Sequence, residues 1–385
     1  MAIGRRIDRR SLAPIGLIFA LAACGGGETA SALPSAPPPS GALGLDQVRL
    51  QLQWVPQAQF AGYFAAVEQG FFEANGIEVT IVAGGPEVVP QEVGSAPNGP
   101  EFTVSWVPRV LEARDGARGS DLVNIAQVFQ RPGTLSVSWR EAAIISPADF
   151  RDRKVGVWES GSELEVTAGA RKAGLEPGDD YEPVPIADVA PFLARQVDVA
   201  QAMIYNEYAQ VLETINPETD RLYQPTDLNV INWVDEGTAM LQDALFARAS
   251  WLEQPGNEDI AIRFLEAAFQ GWIYCRTNQD DCITYTLDAG ATIGGGVALG
   301  AAHQAWMLNE VSALVWPSPE GIGIMDPAKW RHTVEVLLEA GIIGAEPPPE
   351  AYRTDLAAAA LEGITEDSTG ADFQKGVVEI REGGN

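Results

Sequence analysis

Val48-Arg-Leu-Gln-Leu-Gln-Trp54 alternates apolar and polar side chains strictly, the period of a strand with one buried face. Phe60, Tyr63, Phe64, Val67 and Phe71 then follow Pro56 at helical spacing, and the run stops at Asn75-Gly76. Residues 77–82 again read as a strand. A strand, a helix and a second strand in this order call for a right-handed crossover and a parallel sheet. The same grammar recurs. Residues 101–106 and 122–130 are strand-like, with a helix from Val110 between them, and a new unit opens at residues 154–158, followed by a helix over about 162–173. Strands at 181–186, 200–205 and 244–250, with helices after Asp188 and over about 206–215, complete it. From Asn257, which reads as a helix cap, the chain is almost purely helical through 257–275, 300–311 and 327–340. The fold class is α/β, with a helical C-terminal portion.

The N-terminus is set apart by charge. Arg5, Arg6, Arg9 and Arg10 precede an apolar run over residues 12–23, the order of a secretory signal and too short to span a bilayer. The run closes on Leu21-Ala22-Ala23-Cys24 and resembles a bacterial lipobox, which makes residues 1–23 a signal peptide and Cys24 the lipidated first residue of the mature chain. Residues 24–45, rich in Gly, Ser, Ala and Pro, read as a flexible tether. The expected location is the cell membrane, lipid-anchored, facing the periplasm or cell exterior. The compartment is oxidising, so Cys275 and Cys282 either close a small disulfide loop or stand as two separate thiols.

With 25 Lys and Arg against 53 Asp and Glu, the formal charge of −28 repels phosphate backbones and excludes nucleic acid as a partner. Two His cannot assemble a multi-His metal centre, and neither shows metal-ligand spacing, so no metal or cofactor is expected and both read as ordinary packing or surface residues. No Ser-centred nucleophile elbow occurs, and catalysis is not indicated.

In open parallel sheets ligands sit beyond the carboxyl ends of strands. Here those positions are rich in aromatics and amides: Trp54 with Gln57 and Tyr63, Trp106, Gln130, Trp158 with Glu163, Tyr205 with Asn206 and Glu207, and Asp235 after Trp233. Flat rings for stacking and amides that both donate and accept suit a planar, neutral heteroaromatic ligand. An oxyanion would need cations, for which Arg131 and Arg140 are the nearby candidates.

The segment Gln53-Trp54-Val55-Pro56-Gln57-Ala58-Gln59-Phe60-Ala61-Gly62-Tyr63-Phe64 resembles the thiamine-pyrimidine-precursor-binding superfamily of periplasmic binding proteins. Ala83-Gly-Gly-Pro86, Gln127-Val-Phe-Gln-Arg131, Ala202-Met-Ile-Tyr-Asn-Glu-Tyr208, residues 235–243 and Trp316-Pro-Ser-Pro319 look like its branch of RibY-type riboflavin-binding lipoproteins. The resemblance spans about residues 46–360. It implies a type II periplasmic-binding-protein fold: lobe 1 over 46–138 plus 241–363, lobe 2 over 139–240, a ligand cleft between them and a C-terminal tail at 364–385. It further implies a monomer that captures riboflavin and passes it to the transmembrane permease of an ABC importer by lobe closure. An aminopyrimidine precursor of thiamine is the alternative ligand. The superfamily's pyrimidine synthase, which sacrifices a His, is remote, because no His stands in the N-terminal half.

Overall fold

The computed structural model describes residues 44–116, 119–294 and 300–385. The expected signal peptide, the expected lipidation site Cys24 and all but the end of the expected tether lie outside the described residues.

The strands, in chain order, are β1 (Asp46–Gln51), β2 (Ile77–Val82), β3 (Phe102–Ser105), β4 (Leu122–Gln127), β5 (Thr134–Trp139), β6 (Lys154–Val157), β7 (Glu182–Pro185), β8 (Val199–Met203), β9 (Ile215–Asn216), β10 (Arg221–Leu222), β11 (Leu228–Asn232) and β12 (Ala244–Arg248). They build two five-stranded sheets, one ordered β2-β1-β3-β12-β4 and the other β11-β5-β8-β6-β7. The β9–β10 pair is a small separate hairpin. Two α/β lobes result, each sheet covered by its own helices.

The sheets are mixed rather than parallel. β1 runs parallel to β2 and β3, and β6 parallel to β7 and β8, but β12 and β5 are antiparallel to their neighbours. Direction follows from how the chain changes lobe. It leaves β4 at that strand's carboxyl end, passes through residues 128–133, and therefore enters the second sheet at the carboxyl ends of β6 and β8, so β5 must run backwards. The return through residues 237–243 reverses β12 for the same reason. A lobe boundary at residue 138 would cut β5, which pairs with β8 from Thr134 onward and belongs wholly to the second sheet.

One close helix crossing holds the cleft's first wall. Helix Ala61–Glu68 lies against helix Asn257–Thr277, where a Cβ on Gly271 would fall 2.0 Å from the Gly62 carbonyl oxygen and one on Gly62 would fall 2.3 Å from the Trp272 indole. Backbones this close exclude any side chain larger than hydrogen. The long helix is capped by Gly256, at φ 90°, and Asn257 is its first residue. The Asn257 amide is engaged elsewhere, donating to the Trp251 carbonyl at 2.8 Å, which is why it does not serve as the cap. Cys275, at the end of this helix, is bonded to Cys282 in helix Gln279–Thr292, and both are buried. No helix among the described residues is long and apolar enough to cross a membrane.

Residues 364–385, expected as a C-terminal tail, pack on both lobes. Phe373 packs against the first lobe's core, Ile380 against the second lobe's, and the Gly383 N–H donates to the Glu213 carbonyl at 3.0 Å.

Candidate functional site

A cavity of about 320 Å³ opens between the carboxyl ends of the two sheets. Each wall is the stretch that follows a strand: Gln53, Trp54, Gln57 and Gln59 after β1, Gly85 and Pro86 after β2, and Trp106 and Arg109 after β3. From the other lobe come residues 158–160 and Ser162 after β6, residues 185–187 at the end of β7, Met203 at the end of β8, and Tyr205, Asn206 and Glu207 after it. Side chains at a strand's end escape the sheet's own packing and face the gap between lobes.

Of the residues singled out in the sequence, Trp54, Gln57, Trp106, Trp158, Tyr205, Asn206 and Glu207 line this cavity. Tyr63, Gln130, Glu163 and Asp235 do not. Tyr63 points into the helix crossing, edge-on to Trp272 with ring centroids 5.8 Å apart, and burial pushes its phenol well above the ordinary range. Gln130 is buried and spends its amide N–H groups on the carbonyls of Gln127 and Ile324. Glu163 stands behind the wall, accepting from the Gly161 N–H at 3.0 Å, its pKa raised by burial. Asp235 is exposed on a short helix after β11. β5 separates β11 from the strands whose ends line the cavity, β8, β6 and β7, so the end of β11 lies to one side of it.

The cation of the cavity was missed. Arg131 donates to the Trp316 and Pro317 carbonyls, and Arg140 to that of Thr226. Arg109 lines the cavity instead, its guanidinium 5.1 Å from the centre of the Trp106 ring and one Nη donating to Ser162 Oγ across the cleft. Burial lowers its pKa to about 10, opposed by Glu163, Asp243 and Glu112, and it stays charged at neutral pH. The signal was present in the sequence, an Arg in the first turn of the helix that starts after a Trp-ended strand.

Asp243, at the end of the return crossing, organises the first wall from behind. Its fully buried carboxylate accepts from Gln53 Nε2 at 2.5 Å, Gln59 Nε2 at 2.8 Å and Trp106 Nε1 at 2.8 Å. Glu165 does the same for the crossing itself, accepting from the Met240 N–H at 2.6 Å and Gln242 Nε2 at 3.2 Å. On the opposite wall Glu207 accepts from the Met203 N–H and from Asn206 Nδ2, with its pKa raised by burial. His303, expected to be an ordinary packing residue, is buried between Asn206 Oδ1 at 3.0 Å and Glu213 Oε1 at 2.9 Å, and so orients a cavity side chain.

Burial raises Asp243 from 3.8 to about 6 and Glu165 from 4.5 to about 7, against the hydrogen bonds that favour their ionised forms. A carboxyl whose folded pKa exceeds its unfolded value binds its proton more tightly in the native state. Its contribution is full at low pH and is lost as pH rises through that interval. The melting temperature of the wild type relative to Glu165→Gln should therefore fall between pH 4.5 and 7.5. A difference constant across that range would show that burial leaves Glu165 with an ordinary pKa.

The model of the family described as NMT1/THI5 like matches residues 57–282 of this chain. The riboflavin-binding protein RibY of Chloroflexus aurantiacus is 25% identical over 326 residues, covering 82% of this chain and 87% of that protein. The formylaminopyrimidine-binding protein of Halalkalibacterium halodurans is 25% identical over 250 residues, covering 63% of this chain and 70% of its own. Among solved structures, the periplasmic aliphatic sulphonate binding protein SsuA of Escherichia coli superposes with a TM-score of 0.55 at 15% identity, over 78% of this chain and 89% of that one.

Proposed function

The chain belongs to the NMT1/THI5-like family and is a substrate-binding protein of ABC-type import, and from this premise we propose that it captures riboflavin. The observation that carries the reading is a cavity walled by Trp54, Trp106, Trp158 and Tyr205 and rimmed by amides and hydroxyls. Those walls belong to both lobes, and Trp106 and Trp158 meet edge to face across the cleft with centroids 6.2 Å apart. A wide fused ring can stack on the free faces of these aromatics while its polar edge meets amides. A single aminopyrimidine ring would leave part of a cavity of about 320 Å³ unfilled.

The chemistry of the lining favours holding over reacting. Stacking faces and amides converge there, and neither His303 nor His332 is among the lining residues, which leaves the His-sacrificing pyrimidine synthase without support. In this reading Cys24 anchors the mature chain to the membrane, and a monomer hands its ligand to the permease when the lobes reopen.

Titration of the mature protein with riboflavin checks this. Flavin emission should be quenched saturably, and the fold should gain about 2.7 kcal/mol at a hundredfold excess over Kd. Silence with riboflavin together with thermal stabilisation by formylaminopyrimidine would replace the flavin with the thiamine precursor.

A further inference from the structure

Two polar atoms belonging to cavity-lining residues are buried without a hydrogen-bond partner: Gln53 Oε1, an acceptor, and Arg109 Nε, a donor. Buried polar groups are almost always paired, so an orphan on a cavity-lining residue calls for a partner that the protein itself does not supply. Gln53 is only 4% exposed. Its orientation is dictated by Asp243, because a carboxylate demands the NH₂ end of the amide and leaves the oxygen free. Arg109 commits one Nη to Ser162 Oγ and lies over Trp106, which leaves Nε unused.

The two orphans sit on residues linked through Asp243 and Trp106. Asp243 Oδ1 accepts from both Gln53 and Trp106, and Arg109 covers that same indole. Gln53, Trp106 and Arg109 are thus tied into a single rigid group, offering an acceptor and a cationic donor. The complement is an N–H next to a strongly polar carbonyl. A pyrimidinedione imide has that pair, and its carbonyl oxygen suits a guanidinium better than a basic ring nitrogen does.

We propose that the imide N–H of the flavin's pyrimidinedione ring donates to Gln53 Oε1 while the adjacent carbonyl accepts from Arg109 Nε, so that these two residues select the ring edge. The contact rests on the riboflavin reading and names the part of the ligand that the first lobe recognises. Trp158 and Tyr205 remain as stacking walls, and the ribityl chain is left to the Asn206 and Glu207 side of the cavity.

The test compares riboflavin with 3-methylriboflavin, in which the imide N–H is replaced, by fluorescence titration of the mature wild type and of Gln53→Ala. The wild type should prefer riboflavin by roughly 10- to 100-fold, the range for leaving a buried acceptor unpaired. In Gln53→Ala the preference should collapse to within about 3-fold, since neither flavin then has a partner at that position. Gln53→Met, which keeps the side-chain length, makes the same comparison if the Ala variant is poorly folded. Equal binding of the two flavins by the wild type overturns the contact and leaves riboflavin capture standing. A preference that persists undiminished in the Gln53 variants also overturns it, because the methyl group then clashes elsewhere. Failure of the wild type to bind either flavin removes both the contact and the reading beneath it.

Discussion

Asp243→Ala should weaken ligand binding by at least about 100-fold, although Asp243 is not one of the cavity-lining residues. Three donors from two separate chain segments end on this carboxylate: Gln53 and Gln59 from the stretch after β1, and Trp106 from the end of β3. Deleting it strands all three in a buried place, at a cost of about 1–3 kcal/mol for each donor left unpaired. The side chains will turn to find other acceptors, and the wall they form will no longer be prearranged for the ligand. Asp243→Asn, which keeps one acceptor oxygen, should fall between the wild type and the Ala variant. Binding measured at least 20 °C below each variant's melting point separates lost arrangement from lost fold. Affinity of Asp243→Ala within about fivefold of wild type would mean that the wall holds its shape without this hub.

The outline of the fold was legible because strands and helices alternate in a pattern that few architectures accept. The alternation of residues 48–54, the apolar spacing behind Pro56 and the Asn75-Gly76 stop are local signals, and the structure places there a strand that ends at Gln51, a helix that breaks at Gly70 into Ala61–Glu68 and Phe71–Ala74, and a turn. The antiparallel course of β5 and β12 was not legible, since it depends on where the chain changes lobe and not on any residue within either strand. The site divides in the same way. Trp54, Trp106, Trp158 and Tyr205 were visible because position after a strand is a sequence property, and all four line the cavity. Tyr63 has the same composition and neighbourhood, but one helical turn carries it onto Trp272. Asp243 carries no local signal, since its three partners lie 137 to 190 residues away in the chain.

Removing residues 371–385 should lower the melting temperature by about 10 °C and weaken ligand binding in the same variant. This segment has no regular strand or long helix, yet it straps the two lobes together. Lys375 Nζ reaches both carboxylate oxygens of Glu310, at 2.7 and 2.8 Å, and Asn309 exchanges two hydrogen bonds with the backbone of Gly376. The Glu310 side chain is 4% exposed, so losing Lys375 leaves a buried carboxylate without its cation. Breaking a buried pair in this way costs roughly 3–5 kcal/mol, and the half-exposed Lys375 places the expected value toward the lower end. Phe373 and Ile380 add apolar area, one to each lobe's core. The far end of the strap reaches the site, because Gly383 binds the Glu213 backbone, and Glu213 holds His303, which holds Asn206 in the cavity. Lys375→Ala isolates the ion pair and should show part of the thermal loss with little change in affinity. A truncated protein that melts within about 2 °C of the full chain and binds its ligand equally would show that the lobes keep their arrangement without the strap.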